Sequence, residues 1–294
     1  MKKVLLILIP LLMFAGCLLT KNEKGDKVKV QDKDQVEEKH TGSLVLVEGG
    51  TFQMGNTFGD GDGQPVHEVT LSSFYMAETE VTQEQWIAVM KDNPSRFEGD
   101  NRPVESVSWF DAIVFCNKLS MMNMRTPIYS VNGKTDPDTW GYTPSWGYSI
   151  NGEVVMDLEA NGYRLPTDAE WEYAARGGKK SKGYKFPGAD SLDAVAWYKD
   201  NSGNTTHEVA TKTPNELGLY DMGGNVWEWV WDWLSPYVYT PQTNPVGASS
   251  GSGRVMRGGC LASPDKSCRV IGRFVNYPHE EIYVYGFRIV RSAN

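Results

Sequence analysis

One stretch limits what this chain can become: Glu216-Leu217-Gly218-Leu219-Tyr220-Asp221-Met222-Gly223-Gly224-Asn225-Val226-Trp227-Glu228-Trp229. Glycines, indoles, acids and an asparagine in so short a run suit neither an amphipathic helix nor an alternating strand. Glycines at such density serve backbone that takes positive φ or approaches a neighbour closely. Asp221, Asn225 and Glu228 carry oxygens spaced so that a tight loop could wrap a hard cation, with backbone carbonyls completing the shell. A plain glycine turn with solvated acids fits the same residues. Trp227 and Trp229 fall on one side of any strand that follows and would anchor a core.

The N-terminus carries an address. Lys2 and Lys3 precede the apolar run Val4 to Phe14, and Ala15-Gly16 precede Cys17, which reads as a secretory signal over residues 1–16. The run is shorter than the roughly 20 apolar residues of a membrane span. Phe14-Ala15-Gly16-Cys17 resembles a bacterial lipobox of the looser form, which implies cleavage before Cys17 and lipid attached there. Ordinary secretion is the alternative, and it leaves Cys17 without a role. Residues 17–42 follow as a tether in which six lysines balance six acids and hardly an apolar residue occurs. Such a segment buries too little surface to fold. The expected protein is membrane-associated through its lipid alone, displayed at the outer-membrane surface or facing the periplasm.

The formal charge of −8, with two lysines in the signal and a neutral tether, leaves −10 on residues 43–294. That argues against nucleic acid as a partner. Ten tryptophans and fourteen tyrosines supply amphipathic aromatic area for cores and binding surfaces. Besides Cys17 only Cys116, Cys260 and Cys268 remain, an odd number with neither a CxxC pair nor zinc spacing.

Residues Ser43 to Met54 read as strand, glycine turn, strand: an opening hairpin. Val66 to Tyr75 reads as one further strand. Capping boxes stand at Thr82 to Gln85, Ser108 to Asp111 and Thr167 to Glu170, so a helix is expected after each. Cys116 falls on the apolar face of the second helix as a small core residue. Short strands are expected at Ile128 to Val131 and Glu153 to Leu158, within an insertion rich in Gly, Pro, Trp and Tyr.

Taken together, Glu48 to Gly55, Glu80-Val81-Thr82, Pro103 to Trp109, Arg164 to Gly178, Gly218 to Trp229, Arg257-Gly258-Gly259 and Gly286-Phe287-Arg288 resemble the formylglycine-generating-enzyme/sulfatase-modifying-factor family. The resemblance runs in order over residues 43–291. It implies a single α+β domain over residues 43–294 with a C-type-lectin-like fold, little regular secondary structure and a small twisted antiparallel sheet. By position, Asp221 and Glu228, with the carbonyls of Gly224 and Val226, match the family's calcium ligands, implying structural Ca²⁺. The oxidases of the family hold copper between two cysteines. Counting from Gly259, Cys268 stands at the first of those positions and Arg273 at the second. A lone thiolate does not give the linear two-sulfur geometry Cu(I) prefers. Cys260 is the one substitute, and a copper or thiol-dependent oxidase using Cys268 with Cys260 is the rival reading. The family's iron-dependent members use a His-x-x-x-His-x-Glu constellation, which histidines at 40, 67, 207 and 279 cannot build locally.

Within Arg254 to Asn294 the framework residues of the family enclose a mixed set of side chains. Together with the lipobox, this segment resembles the variable lipoproteins of spirochaete diversity-generating retroelements. The resemblance implies a ligand-binding protein rather than an enzyme, with a protein or glycan held at a C-terminal face by a monomer. Leu261, Ala262, Ser263, Val270, Gly272, Phe274, Val275, Asn276, Tyr277, His279, Glu280, Tyr283 and Val284 are the expected binding positions. Rigid aromatics beside adaptable polar groups suit such a face. The alternation Ile282-Tyr283-Val284-Tyr285 also fits a half-buried final strand.

Overall fold

Each of the three expected capping boxes starts a helix. The computed structural model describes residues 40–56, 63–142, 150 and 152–293; the signal, Cys17 and the tether up to residue 39 lie outside the described residues. In α1 (Gln83–Met90) the Thr82 hydroxyl accepts from the Gln85 amide while the Gln85 side chain accepts from the Thr82 amide. Ser108 with Asp111 does the same for α2 (Trp109–Met122), and Thr167 with Glu170 for α3 (Asp168–Ala175). Each box satisfies two N–H groups that the first helical turn leaves orphaned. Helix α2 is buried on nearly every side, Cys116 included, as befits a helix inside the domain rather than on its surface.

The strands are short: β1 (Leu44–Val47), β2 (Gly50–Met54), β3 (His67–Leu71), β4 (Phe74–Ala77), β5 (Tyr129–Val131), β6 (Val154–Met156), β7 (Trp227–Trp233), β8 (Gln242–Thr243), β9 (Arg254–Arg257), β10 (Arg273–Asn276), β11 (Tyr285–Gly286) and β12 (Val290–Ser292). They form sheets ordered β1-β4-β12, β10-β9-β7-β11, β2-β3-β8 and β5-β6. Most pairings are antiparallel, while β11 with β7 and β3 with β8 are parallel. The short pair expected around residues 128–131 and 153–158 is present, with Tyr129 opposite Met156.

The opening hairpin does not form. β1 pairs with β4 and β2 with β3, so the two halves of the expected hairpin enter different sheets. Gly49 is needed for a close approach rather than a turn between partners: a Cβ there would sit 2.4 Å from the Leu71 carbonyl oxygen. The single strand expected over Val66 to Tyr75 is likewise broken at Ser72-Ser73 into β3 and β4. A half-buried strand over Ile282 to Tyr285 is also absent, since only Tyr285 and Gly286 pair with β7.

Strand β7 divides the core. Trp229 packs with Trp109, Phe115 and Phe287 on the side of α1 and α2. Its neighbour Val230 packs with Phe74, Met76, Trp171 and Val255 on the side of α3. Successive strand residues face opposite ways, so one short strand ties both halves together. The result is a small α+β architecture with few helices and small, mainly antiparallel sheets.

Candidate functional site

The turn ahead of β7 needs its unusual composition. Asp221, Gly224 and Asn225 all have positive φ, at 54°, 83° and 55°. A Cβ on Gly224 would stand 2.2 Å from the Trp197 carbonyl oxygen, so only glycine fits there. Asn225 is a structural strut: its Oδ1 accepts from the His207 amide and its Nδ2 donates to Glu80.

Beneath the turn lies a charge cluster made of Glu80, Asp221, Glu228 and Arg288. Both Glu228 oxygens are engaged by Arg288, at 2.7 and 2.8 Å, and one also accepts from the Trp171 indole at 2.8 Å. Glu228 is thus held in place by a guanidinium and an indole. Asp221 is different. Its Oδ2 accepts from the Ala210 amide, while its Oδ1 is buried without a hydrogen-bond partner. Burial, opposed in part by that amide and by Arg288, raises the Asp221 carboxyl to about 6. Burial first, then the charges of Asp221 and Glu228, hold the Glu80 carboxyl well above its ordinary range. Three buried acids thus share one guanidinium. Among the described residues no three His, Cys, Asp or Glu side chains converge as a metal site. A hard cation would consequently depend on Asp221 Oδ1 together with the Gly224 and Val226 carbonyls, and the surplus negative charge suits one.

The C-terminal segment separates into framework and face. Leu261, Ser263 and Val270 are buried and cannot meet a ligand directly. Gly272 is held by packing, since a Cβ would lie 2.4 Å from the Ser267 carbonyl oxygen, and its own carbonyl accepts from Arg257. Val275 leans on Gly253, and Val284 packs against the apolar core. Ala262 is exposed. The outward set is Phe274, Tyr277 and Tyr283, exposed by 41%, 56% and 37%. Phe274 stacks on Trp227 at 5.1 Å, and Tyr277 stacks on His279 at 5.7 Å. Glu280 lies beside His279, and Asn276 donates to the Tyr285 hydroxyl at 2.6 Å.

Two contributors come from outside the segment and were not expected from sequence. The Arg96 guanidinium lies 4.6 Å over the Tyr283 ring, and Phe97 meets that ring edge-on at 6.0 Å. Nothing in Pro94-Ser95-Arg96-Phe97 marks it locally, because only the fold brings this loop beside Tyr283.

The thiols lie inside the fold. Cys116, Cys260 and Cys268 are free and buried. Burial first, then the neighbouring Cys260 charge, pushes the Cys268 thiol up to about 12, and burial raises Cys260 too. Arg273 is committed elsewhere: its Nε is 3.1 Å from Asp168, and its guanidinium lies 4.3 Å over Tyr237.

Residues 29–293 match the family model of the sulfatase-modifying factor enzyme 1-like domain. The chain belongs to that family. Within this sulfatase-modifying-factor family it is 38% identical to Treponema denticola variable protein 1, whose structure it matches with a TM-score of 0.78 over 84% of this chain and 94% of that one. It is 44% identical to chaperone protein LppX of Paenibacillus barcinonensis, over 72% of this chain and 78% of the relative. The formylglycine-generating enzyme of Streptomyces coelicolor is 32% identical over 86% of this chain and 90% of the enzyme. The sulfatase-modifying-factor family therefore includes enzymes and proteins of other function, and its fold is the C-type-lectin-like one expected.

Proposed function

We propose that this chain is a lipid-anchored, surface-displayed binding protein whose C-terminal segment presents a diversified ligand face on a rigid scaffold. The observation that carries the reading is the division within that segment. Phe274, Tyr277, His279 and Tyr283 reach outward, whereas Leu261, Val270 and Cys268 are buried as support. Side chains that vary at fixed backbone positions keep the face preorganised and limit the entropy lost on association. Aromatic anchors flanked by Arg96, Asn276 and Glu280 suit a protein or glycan surface. The likeness to a Treponema variable protein supports the same reading. Lipid on Cys17 would hold the protein at the membrane, with the tether separating the domain from it. Calcium held by Asp221, Gly224 and Val226, beside the Glu228–Arg288 pair, would be structural: it neutralises the surplus acid under the turn.

The test uses the variant Phe274→Ser/Tyr277→Ser/His279→Ser/Tyr283→Ser. Both it and the native protein are probed on glycan and extracellular-protein arrays, with thermal unfolding measured in parallel. Specific native binding that the variant loses, at an unchanged Tm, is the expected result. Specific binding that survives in the variant would place the ligand elsewhere.

A further inference from the structure

A cavity lies away from the aromatic face. It encloses about 580 Å³ between the ends of β7 and β10, the segment from Ser235 to Ala248, and α3. Pockets of this size hold small organic molecules. Arg273 lines it, whereas the next residue of β10, Phe274, belongs to the exposed aromatic face. Successive side chains of a strand point oppositely, so the two sites are independent.

Asp232 is the unusual group here. It is 5% exposed and lines the cavity. Its Oδ2 accepts from the Asp168 amide at 2.8 Å, but its Oδ1 accepts from no described residue. The nearby bases are committed: Arg257 binds Asp168 and Glu172, and Arg273 binds Asp168. Gly247 lets the backbone pass close to this side chain, since a Cβ there would lie 2.7 Å from Oδ1. Trp233, Tyr237, Val238 and Val246 supply apolar and aromatic wall.

We propose that this cavity binds a small organic ammonium, with the open Asp232 carboxylate oxygen as its counter-charge and the surrounding aromatic and apolar wall holding its carbon body. Arg254 and Arg273 act on Asp232 through their charge but form no ion pair with it, and a ligand ammonium supplies that direct partner. The acidic character of the chain draws cations toward it. A merely polar ligand would leave the charge uncompensated.

Burial, then the Asp168 charge, raises the Asp232 carboxyl to about 7, while Arg273 opposes and Glu170 adds to the rise. Arg254 faces it from β9, and His67 and Tyr237 line the same cavity. Ammonium binding needs the ionised carboxylate, so affinity rises through pH 7 and levels off above it.

Calorimetric titration with benzylammonium, and with benzyl alcohol as its neutral counterpart, tests this. The expected result is saturable binding of benzylammonium at pH 8, at least tenfold weaker for benzyl alcohol and at least tenfold weaker in Asp232→Asn. The asparagine keeps an acceptor for the Asp168 amide, and thermal unfolding checks its fold. In the native protein, affinity falls about tenfold per pH unit well below 7, and the profile is the same in His67→Gln. No saturable benzylammonium binding at pH 8, equal binding of the alcohol, undiminished binding by a folded Asp232→Asn, or a pH profile that follows His67 would each overturn the proposal.

Discussion

Arg288 is the side chain on which the turn ahead of β7 depends most. It pairs with both oxygens of Glu228, donates to the Tyr220 carbonyl, and is the guanidinium shared by the three buried acids. Arg288→Met should therefore cost about 3–5 kcal/mol in denaturant unfolding, because it strands buried charge; a loss below about 1 kcal/mol would contradict the cluster. Asp232 gives a prediction of opposite sign. Its carboxyl titrates near 7 when folded but near the ordinary aspartate value when unfolded, so the native state binds the proton more tightly. That contribution to stability is complete below about pH 4 and lost as pH rises through 7. Asp232→Asn should accordingly gain roughly 2–4 kcal/mol on the native protein between pH 4 and pH 8, read from urea unfolding at both pH values. From sequence, Asp221 and Glu228 were visible as oxygen ligands because their spacing is local. Arg288 as the partner of Glu228 was not, since it lies 60 residues away and its role arises only when β11 comes to lie beside β7.

Helices were more legible than sheets, and the reason is range. A capping box is closed by residues three apart, so Thr82, Ser108 and Thr167 could be read directly. Thr167→Ala should cost about 1 kcal/mol in thermal or urea unfolding. Pairing partners are not local. Leu44 to Met54 alternates and turns like a hairpin, yet β1 and β2 find separate partners, because burial against Phe74 and Val69 outweighs the proximity of the two strands. The same gap affected the binding segment. Leu261 and Val270 look like neighbours of Phe274 and Tyr277 in sequence, but only the fold sorts them inward or outward. Leu261→Ala should thus cost about 2–5 kcal/mol, whereas Tyr277→Ala should stay within about 0.5 kcal/mol of the native protein.

Across the whole molecule, a buried framework carries an exposed aromatic face at Phe274, Tyr277 and Tyr283 and shares part of its ion-pair network with the cavity beside Asp232. The framework is where the family resemblance lies: the turn, the Arg257 and Arg288 clusters and the capped helices all serve folding. The ion expected beneath the turn would act on the same scale. Millimolar calcium should raise Tm over a chelated control, with no shift in Asp221→Ala; no shift in the native protein would remove the ion from the account. The central claim, that the C-terminal face is a diversified binding surface, is tested most directly by the DNA downstream of the gene. The account predicts a near-copy of the codons for residues 254–294 beside a reverse transcriptase gene. It should differ at adenines in the codons for the exposed Phe274, Tyr277 and Tyr283 and the half-buried His279, and match at those for Leu261, Val270 and Cys268. The absence of such a copy, or adenine-linked differences falling on the buried codons, would contradict it.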